Sequence, residues 1–341
     1  MFVQILVFYA EQFGSPDQSV KHDSVQALIV LFSAAPRYIK RKESIRLIAS
    51  GLGSRNAELR RSTLVSLTAM LEREEIRVGA TPVSINDSRS AQEVIVNAGE
   101  TDHHCFTDGM RSHTATVQHL LLDGNRTVKL AALRLKTLLL RQGLVDPSRS
   151  VATFIALQCD QSKEVSHLSL QLLRNPDYGI NKDRKITGYI LEGIALAFQK
   201  QMVGVGVSVQ DSNAQAFATF IPGPKVSESK QRVRTRGNDR DVKACFSFLG
   251  PLWSELISKA SSSQRRIFFE VCVSAFKHTE NLLFLSKSQA NPNIVHTGAR
   301  FHQSLRPLFL KFLTVALGTL PFAYEDDVVC FIYTINQVRH C

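Results

Sequence analysis

His103, His104, Cys105 and His113 are the residues of this chain whose types and proximity suggest metal chemistry. Imidazoles and a thiolate could together hold zinc. A structural zinc site usually draws its ligands as two close pairs separated by a longer connection, and this spacing fits no such template. The four residues also stand in or beside a polar, turn-rich stretch, so no metal is expected. Asp326 and Asp327 come next, as a carboxylate pair. On a helix, adjacent side chains diverge by about a quarter turn, so the two cannot work on one substrate as acid and base. GxGxxG, GxxxxGKS and GxSxG are all missing from the sequence, and each is the usual mark of a nucleotide or acyl-transfer site. The expectation is a protein that is not an enzyme and carries no cofactor.

The cations are the stronger signal. The 341 residues include 41 Lys and Arg against 30 Asp and Glu, a formal net charge of +11. Such an excess favours acidic partners, nucleic acid above all. Lys129 and Lys136 are seven apart and share one helix face, while Arg134 and Arg141 share another. Lys182, Arg184 and Lys185 cluster at a helix start. Arg232, Arg234 and Arg236 stand in a basic polar segment, and Arg265 and Arg266 open a further helix. For any one of these residues a solvated face is the plainer reading. Together they point to double-stranded DNA bound through its phosphate backbone, because acidic residues do not interleave evenly with them. Trp253 and the phenylalanines recur at helical spacing among Leu and Ile, which marks them as core rather than as platforms for stacked bases.

The elements that must position these side chains are clearest between Leu120 and Pro176. Val128, Ala131, Ala132, Leu135, Leu138 and Leu139 recur at helical spacing and form one apolar stripe. Asp123-Gly124-Asn125 breaks the chain before it, and Gly143 suits its C-terminal cap. Asp146 and Pro147 suit the start of the next helix. Asp160 to Ser162 breaks the chain again, ahead of a helix through Val165, Leu168, Leu172 and Leu173. This unit of helix, tight turn and helix recurs at SPDQSVKHDSVQAL, RNAELRRSTLVSL, NRTVKLAALRL and SKEVSHLSLQLL. Val20 to Leu59 is 39 positions and Val128 to Val165 is 37, while Leu59 to Val128 is 69 because a polar segment intervenes. Two helices per period of about 40 residues mark an all-α, HEAT-repeat solenoid. An irregular bundle of similar helices is the alternative. Stacked repeats would align their second helices, so that basic residues on them would form a track.

Read in order, helices are expected over Phe2 to Phe13, from Ser15-Pro16 onward, from Pro36 to about Gly53, and from Glu58 to Glu75. Others follow from Thr114 to Asn175, Asn181 to Met202, Ala244 to Ala260, Gln264 to His278, His302 to Leu320 and Glu325 to Val338. The pattern lapses at about 77–109 and 203–240, which read as two long surface loops in one continuous solenoid over 1–341. Pro307 to Phe322 is apolar but carries Lys311 and is too short to span a bilayer, so no membrane is expected. Six cysteines without a CxxC pair, most of them in apolar runs, suit reduced thiols in a cytosolic or nuclear protein. The apolar ends read as cut from a longer solenoid, since terminal repeats carry a polar capping face.

The segment RLKTLLLRQGLVDPSRSVATFIALQCDQSKEVSHLSLQLLRN resembles the C-terminal region of the Nipped-B type sister chromatid cohesion protein, the cohesin loader. The blocks that carry the resemblance are Gln142-Gly143-Leu144-Val145-Asp146-Pro147 and the helix from Val151 to Leu157. Gly109 to Ser112, Gln264 to Phe269 and the ending LPFAYEDDVVCFIYTINQV resemble the family as well, in the same order over nearly the whole chain. The resemblance implies a hook-shaped HEAT solenoid that binds DNA and the cohesin ring, through its SMC heads and kleisin. It implies stimulation of the ring's ATPase without an ATPase site of its own, at chromatin in the nucleus. The family's N-terminal part, which binds the loader's partner subunit, is not among these residues. A HEAT adaptor of nuclear-transport or phosphatase type, acting through protein contacts alone, is the second reading. A cargo-carrying transport receptor would usually be acidic, and this chain is basic.

Overall fold

The computed structural model describes residues 4, 8, 11, 17–79, 108–175, 186–204, 249–277, 309, 310, 312–318, 320–322 and 324–339. The helix expected over Phe2 to Phe13 and the two expected loops fall almost wholly outside them. All regular structure among the described residues is helical. The chain divides into two compact units, 1–146 and 147–341.

Unit 1 holds α1 (Gln18–Ala34), a 3-10 turn (Pro36–Lys40), α2 (Lys42–Leu52), α3 (Ala57–Gly79), α4 (Thr114–Leu120) and α5 (Arg126–Arg141). In unit 2 lie α6 (Ser148–Ala156), α7 (Lys163–Arg174), α8 (Ile186–Gly204), α9 (Ser262–Lys277) and α10 (Glu325–Arg339). Helices α2–α3, α4–α5 and α6–α7 are consecutive pairs whose members pack on each other, and α3 also packs on α1 and α5. The fold is an all-α helical repeat.

The repeat register is visible atom by atom at the turn inside each pair. In α3, α5 and α7 the third residue is the buried apolar one, respectively Leu59, Val128 and Val165. Five positions before it stands a short polar residue whose side chain accepts from the backbone N–H two residues on. Ser54 Oγ accepts from Asn56 N at 3.2 Å, Asp123 Oδ1 from Asn125 N at 2.7 Å, and Asp160 Oδ1 from Ser162 N at 2.9 Å. These are the side-chain turns for which Asp, Asn and Ser are selected. Asn56 and Asn125 then cap their helices, accepting from Glu58 N and Thr127 N at 2.9 Å each. Asp17 caps α1 in the same way and leaves Val20 as that helix's third residue.

The helix ends follow the same logic. Gly143 takes φ +67°, the left-handed conformation that glycine adopts without strain. Its N–H donates to Leu140 O at 3.0 Å and Leu144 N donates to Leu139 O at 2.9 Å, which closes α5 as a Schellman motif. Leu135 and Leu139 are buried, as the apolar stripe requires. In unit 2 the core is aromatic: Trp253 stacks among Phe268, Phe269 and Phe322, and is itself fully buried. It belongs to the packing, as its helical spacing implied.

One expected helix is corrected. The segment from Pro36 is two elements, because Arg41 is extended (φ −64°, ψ 142°) between the 3-10 turn and α2. Ser44 Oγ donates to Tyr38 O at 2.8 Å and fixes the break. A helix through this point would have hidden nothing in the hydrophobic pattern; the local hydroxyl contact decides it.

Candidate nucleic-acid interface

The described basic residues sort into three populations by burial. The first is inside. Lys129 and Lys136 do share a face of α5, but it is an inward one, and they are only 7% and 3% exposed. Neither lacks a partner. On α5 only Arg126, Thr127, Arg134 and Arg141 are exposed. The row that meets solvent is therefore Arg134 and Arg141, with Arg141 paired to Glu75 of α3. Lys129 follows the buried third residue of its helix, just as Arg60 follows Leu59. Arg60 shows what that position does. Its guanidinium donates to Ser54 O at 2.7 Å and Arg55 O at 3.0 Å, and lies against Asp123, Nε to Oδ2, at 2.9 Å. It ties the turn of one repeat to the turn of the next.

The second population is semi-buried and structural in unit 2. Arg265 Nε lies 2.7 Å from Asp327 Oδ1, its Nη1 donates to Ala260 O at 2.8 Å, and its guanidinium sits over the Tyr324 ring at 5.3 Å. Asp327 is 3% exposed, so this pair joins α9 to α10 from within. Lys200 of α8 pairs with the buried Asp160. Arg266, beside Arg265 in sequence, is exposed and held at 2.8 Å by Glu270 one turn on. Lys182, Arg184, Lys185, Arg232, Arg234 and Arg236 lie outside the described residues.

The third population is at the surface of unit 1. The break at Arg41 carries three consecutive cations, Lys40, Arg41 and Lys42, all exposed, and Arg46 follows one turn along α2. Arg41 lies over the Tyr38 ring at 5.0 Å. Residues 108–111 form a short helical segment beside them. Asp108 Oδ2 is 2.7 Å from Lys40 Nζ, and its Oδ1 is 3.8 Å from Arg111. Gly109 makes this approach possible: a Cβ there would stand 2.6 Å from Ile39 Cγ2. Ile39 and Met110 are fully buried, so the backbone under these cations is anchored. Sequence reasoning misses this set. The run Lys40-Arg41-Lys42 is the available signal, and an uninterrupted helix from Pro36 to Gly53 conceals it by scattering the three side chains around one cylinder.

Of the four residues singled out for metal chemistry, His113 alone is among the described residues. It is 1% exposed, occupies the N-cap position of α4, and has no hydrogen-bond partner at Nε2. Burial pushes its pKa down to about 4. His103, His104 and Cys105 lie outside the described residues. Cys159 and Cys272 are buried free thiols.

A helical-repeat scaffold with solvent-facing arginine and lysine sets is the class that fold and surface define. Residues 110–338, well over half of the chain, match the family model described as sister chromatid cohesion C-terminus, and the chain belongs to that family. This places it in sister chromatid cohesion, a nuclear, chromosome-associated process, in a family that acts as a scaffold and not by catalysis. No curated protein matches the chain.

Proposed function

We propose that this chain is the HEAT-repeat scaffold of a cohesin loader. It binds duplex DNA without sequence preference and engages the cohesin ring at its SMC heads and kleisin. In doing so it promotes loading onto chromatin and stimulates the ring's ATPase. Family membership carries the reading. The +11 charge and the exposed cations on α2, α5 and α9 support its DNA arm. Backbone phosphates are the fitting target because these side chains are long, exposed cations.

Duplex binding measured across a salt series tests this. Affinity falls log–log with salt at about −0.9 per phosphate neutralised. With about four to six phosphates engaged, going from 50 to 200 mM salt weakens binding about a hundred- to a thousandfold. Unrelated duplexes bind alike. In a reconstituted loading reaction the chain raises the DNA-dependent ATPase of cohesin. An absence of DNA binding at low salt would leave a purely protein-facing adaptor as the better account.

A further inference from the structure

We propose that Lys40, Arg41, Lys42, Arg46 and Arg111 form a phosphate-backbone contact of this chain, and that Asp108 is a built-in counter-ion which DNA must displace. The inference rests on the DNA-binding reading above and names its site. It goes beyond the family relationship, since the family match begins at residue 110 and Lys40 to Arg46 lie outside it.

Charge and exposure make the first argument. Five exposed cations stand on the 3-10 turn, the start of α2 and the 108–111 segment, against two exposed carboxylates on the same stretches, Glu43 and Asp108. No other described cluster of cations in the chain is both this dense and this open. Lys129, Lys136 and Arg265 are committed to packing, and Arg141 and Arg266 each have an exposed carboxylate of their own.

Rigidity makes the second. The 108–111 segment is seated on the 3-10 turn through Gly109 against Ile39, with Met110 buried beneath. The Ser44–Tyr38 hydrogen bond holds the break that separates Lys40 from Lys42. Arg41 is braced by the Tyr38 ring. Cations on a fixed backbone lose less freedom on meeting a phosphate than cations on a mobile tail, which leaves more of the interaction as affinity.

Asp108 supplies the third. One carboxylate faces an ammonium and a guanidinium through its two oxygens, with about half of its side chain open to water. Carboxylate and phosphate oxygens satisfy the same donors. A DNA phosphate approaching Lys40 and Arg111 therefore competes with Asp108 for both groups. Asp108 lowers the affinity of the patch for DNA.

Variants of the whole chain, measured on unrelated duplexes over a salt series, test the idea. Lys40→Glu, Arg41→Glu and Lys42→Glu together weaken binding at least tenfold on every duplex. The salt dependence flattens by about 0.9 for each phosphate that the variant no longer neutralises. The same three positions changed to Gln give a smaller weakening in the same direction. Asp108→Asn acts oppositely: it tightens binding about fivefold at low salt, the size of one unit-charge repulsion at close range in water. Circular dichroism confirms that each variant keeps its helix content. If the unmutated chain binds DNA and the triple Glu variant binds equally with the same salt slope, this surface is not the contact and other cations serve the DNA reading. If Asp108→Asn leaves affinity unchanged or weaker, the counter-ion role falls. If the unmutated chain binds no DNA at low salt, the DNA reading fails and takes this inference with it.

Discussion

Asp123 and Asp108 belong to the same unit, and each is met by a basic group from a neighbouring segment, Arg60 and Lys40 respectively. Asp123 lies in the turn between α4 and α5 and faces Arg60; those two side chains are 11% and 15% exposed. Asp108 faces Lys40 and Arg111, and the Lys40–Asp108 pair is 52% and 39% exposed, the carboxylate first. The chemistry is nearly identical and the consequences diverge. At Asp123 the charge is enclosed with its guanidinium among backbone partners, so it is part of the repeat. At Asp108 it stands in water among a cation excess, so it can be exchanged for another anion. Burial, more than residue type, decides whether an Asp–Arg or Asp–Lys contact is architecture or a binding surface.

The largest effect that would break this comparison is at the enclosed pair. Arg60→Ala or Asp123→Ala leaves a partner charge without compensation in a mostly dry turn, and costs about 3–5 kcal/mol. Asp123→Asn leaves the Arg60 charge unpaired as well but keeps an oxygen to accept from Asn125 N, and so costs less than Asp123→Ala. Chemical denaturation of the three variants gives the ranking. A destabilisation below about 1 kcal/mol for both alanine variants would mean that the turn behaves as an ordinary surface pair.

A smaller effect comes through His113, which lies two residues from Arg111 and is buried where Arg111 is not. Burial holds its pKa at about 4 in the fold, against about 6.5 when unfolded. The unfolded chain therefore takes up a proton first as pH falls. The fold keeps the full benefit of neutral His113 above about pH 6.5. It loses that benefit between about 6.5 and 4, by at most about 3 kcal/mol. His113→Gln removes this part of the acid sensitivity. Melting temperatures of the wild type and the variant from pH 7 to pH 4 should diverge if a buried imidazole anchors the segment that carries Asp108, and run parallel if it does not.

Much of the fold is legible in the sequence because its signals are local. Gly143 closing α5, Asn125 opening it, and Val128 and Val165 as equivalent third residues all follow from turn chemistry and helical spacing. The cations are harder, for a physical reason. Seven-residue spacing says that Lys129 and Lys136 share a face, but not whether a neighbouring helix covers it. In α5 most faces are covered, so the exposed row is Arg134 and Arg141. The position after the buried third residue is also one where a repeat uses a cation internally, as Arg60 does. The break at Arg41 is illegible for a different reason: it depends on Ser44 reaching Tyr38 O, and no periodicity reports one hydroxyl.

The smallest effect sharpens the comparison most. Asp108→Asn should change the stability of the chain by less than about 1 kcal/mol, since exposed ion pairs contribute little once solvation and side-chain freedom are counted. The two cations it faces are 39% and 62% exposed, so both keep access to water when it is gone. The substitution also leaves the anchor at Gly109 and Met110 intact. Its effect on DNA affinity is expected to be larger than its effect on folding, and of opposite sense to a damaged fold. Asp123→Asn should show the reverse pattern, with a clear loss of stability and no gain in DNA affinity. Denaturation and duplex binding measured on both variants thus place each aspartate independently. A substantial destabilisation at Asp108 would show that the 108–111 segment depends on its charge, and the distinction between enclosed and exchangeable carboxylates would not hold.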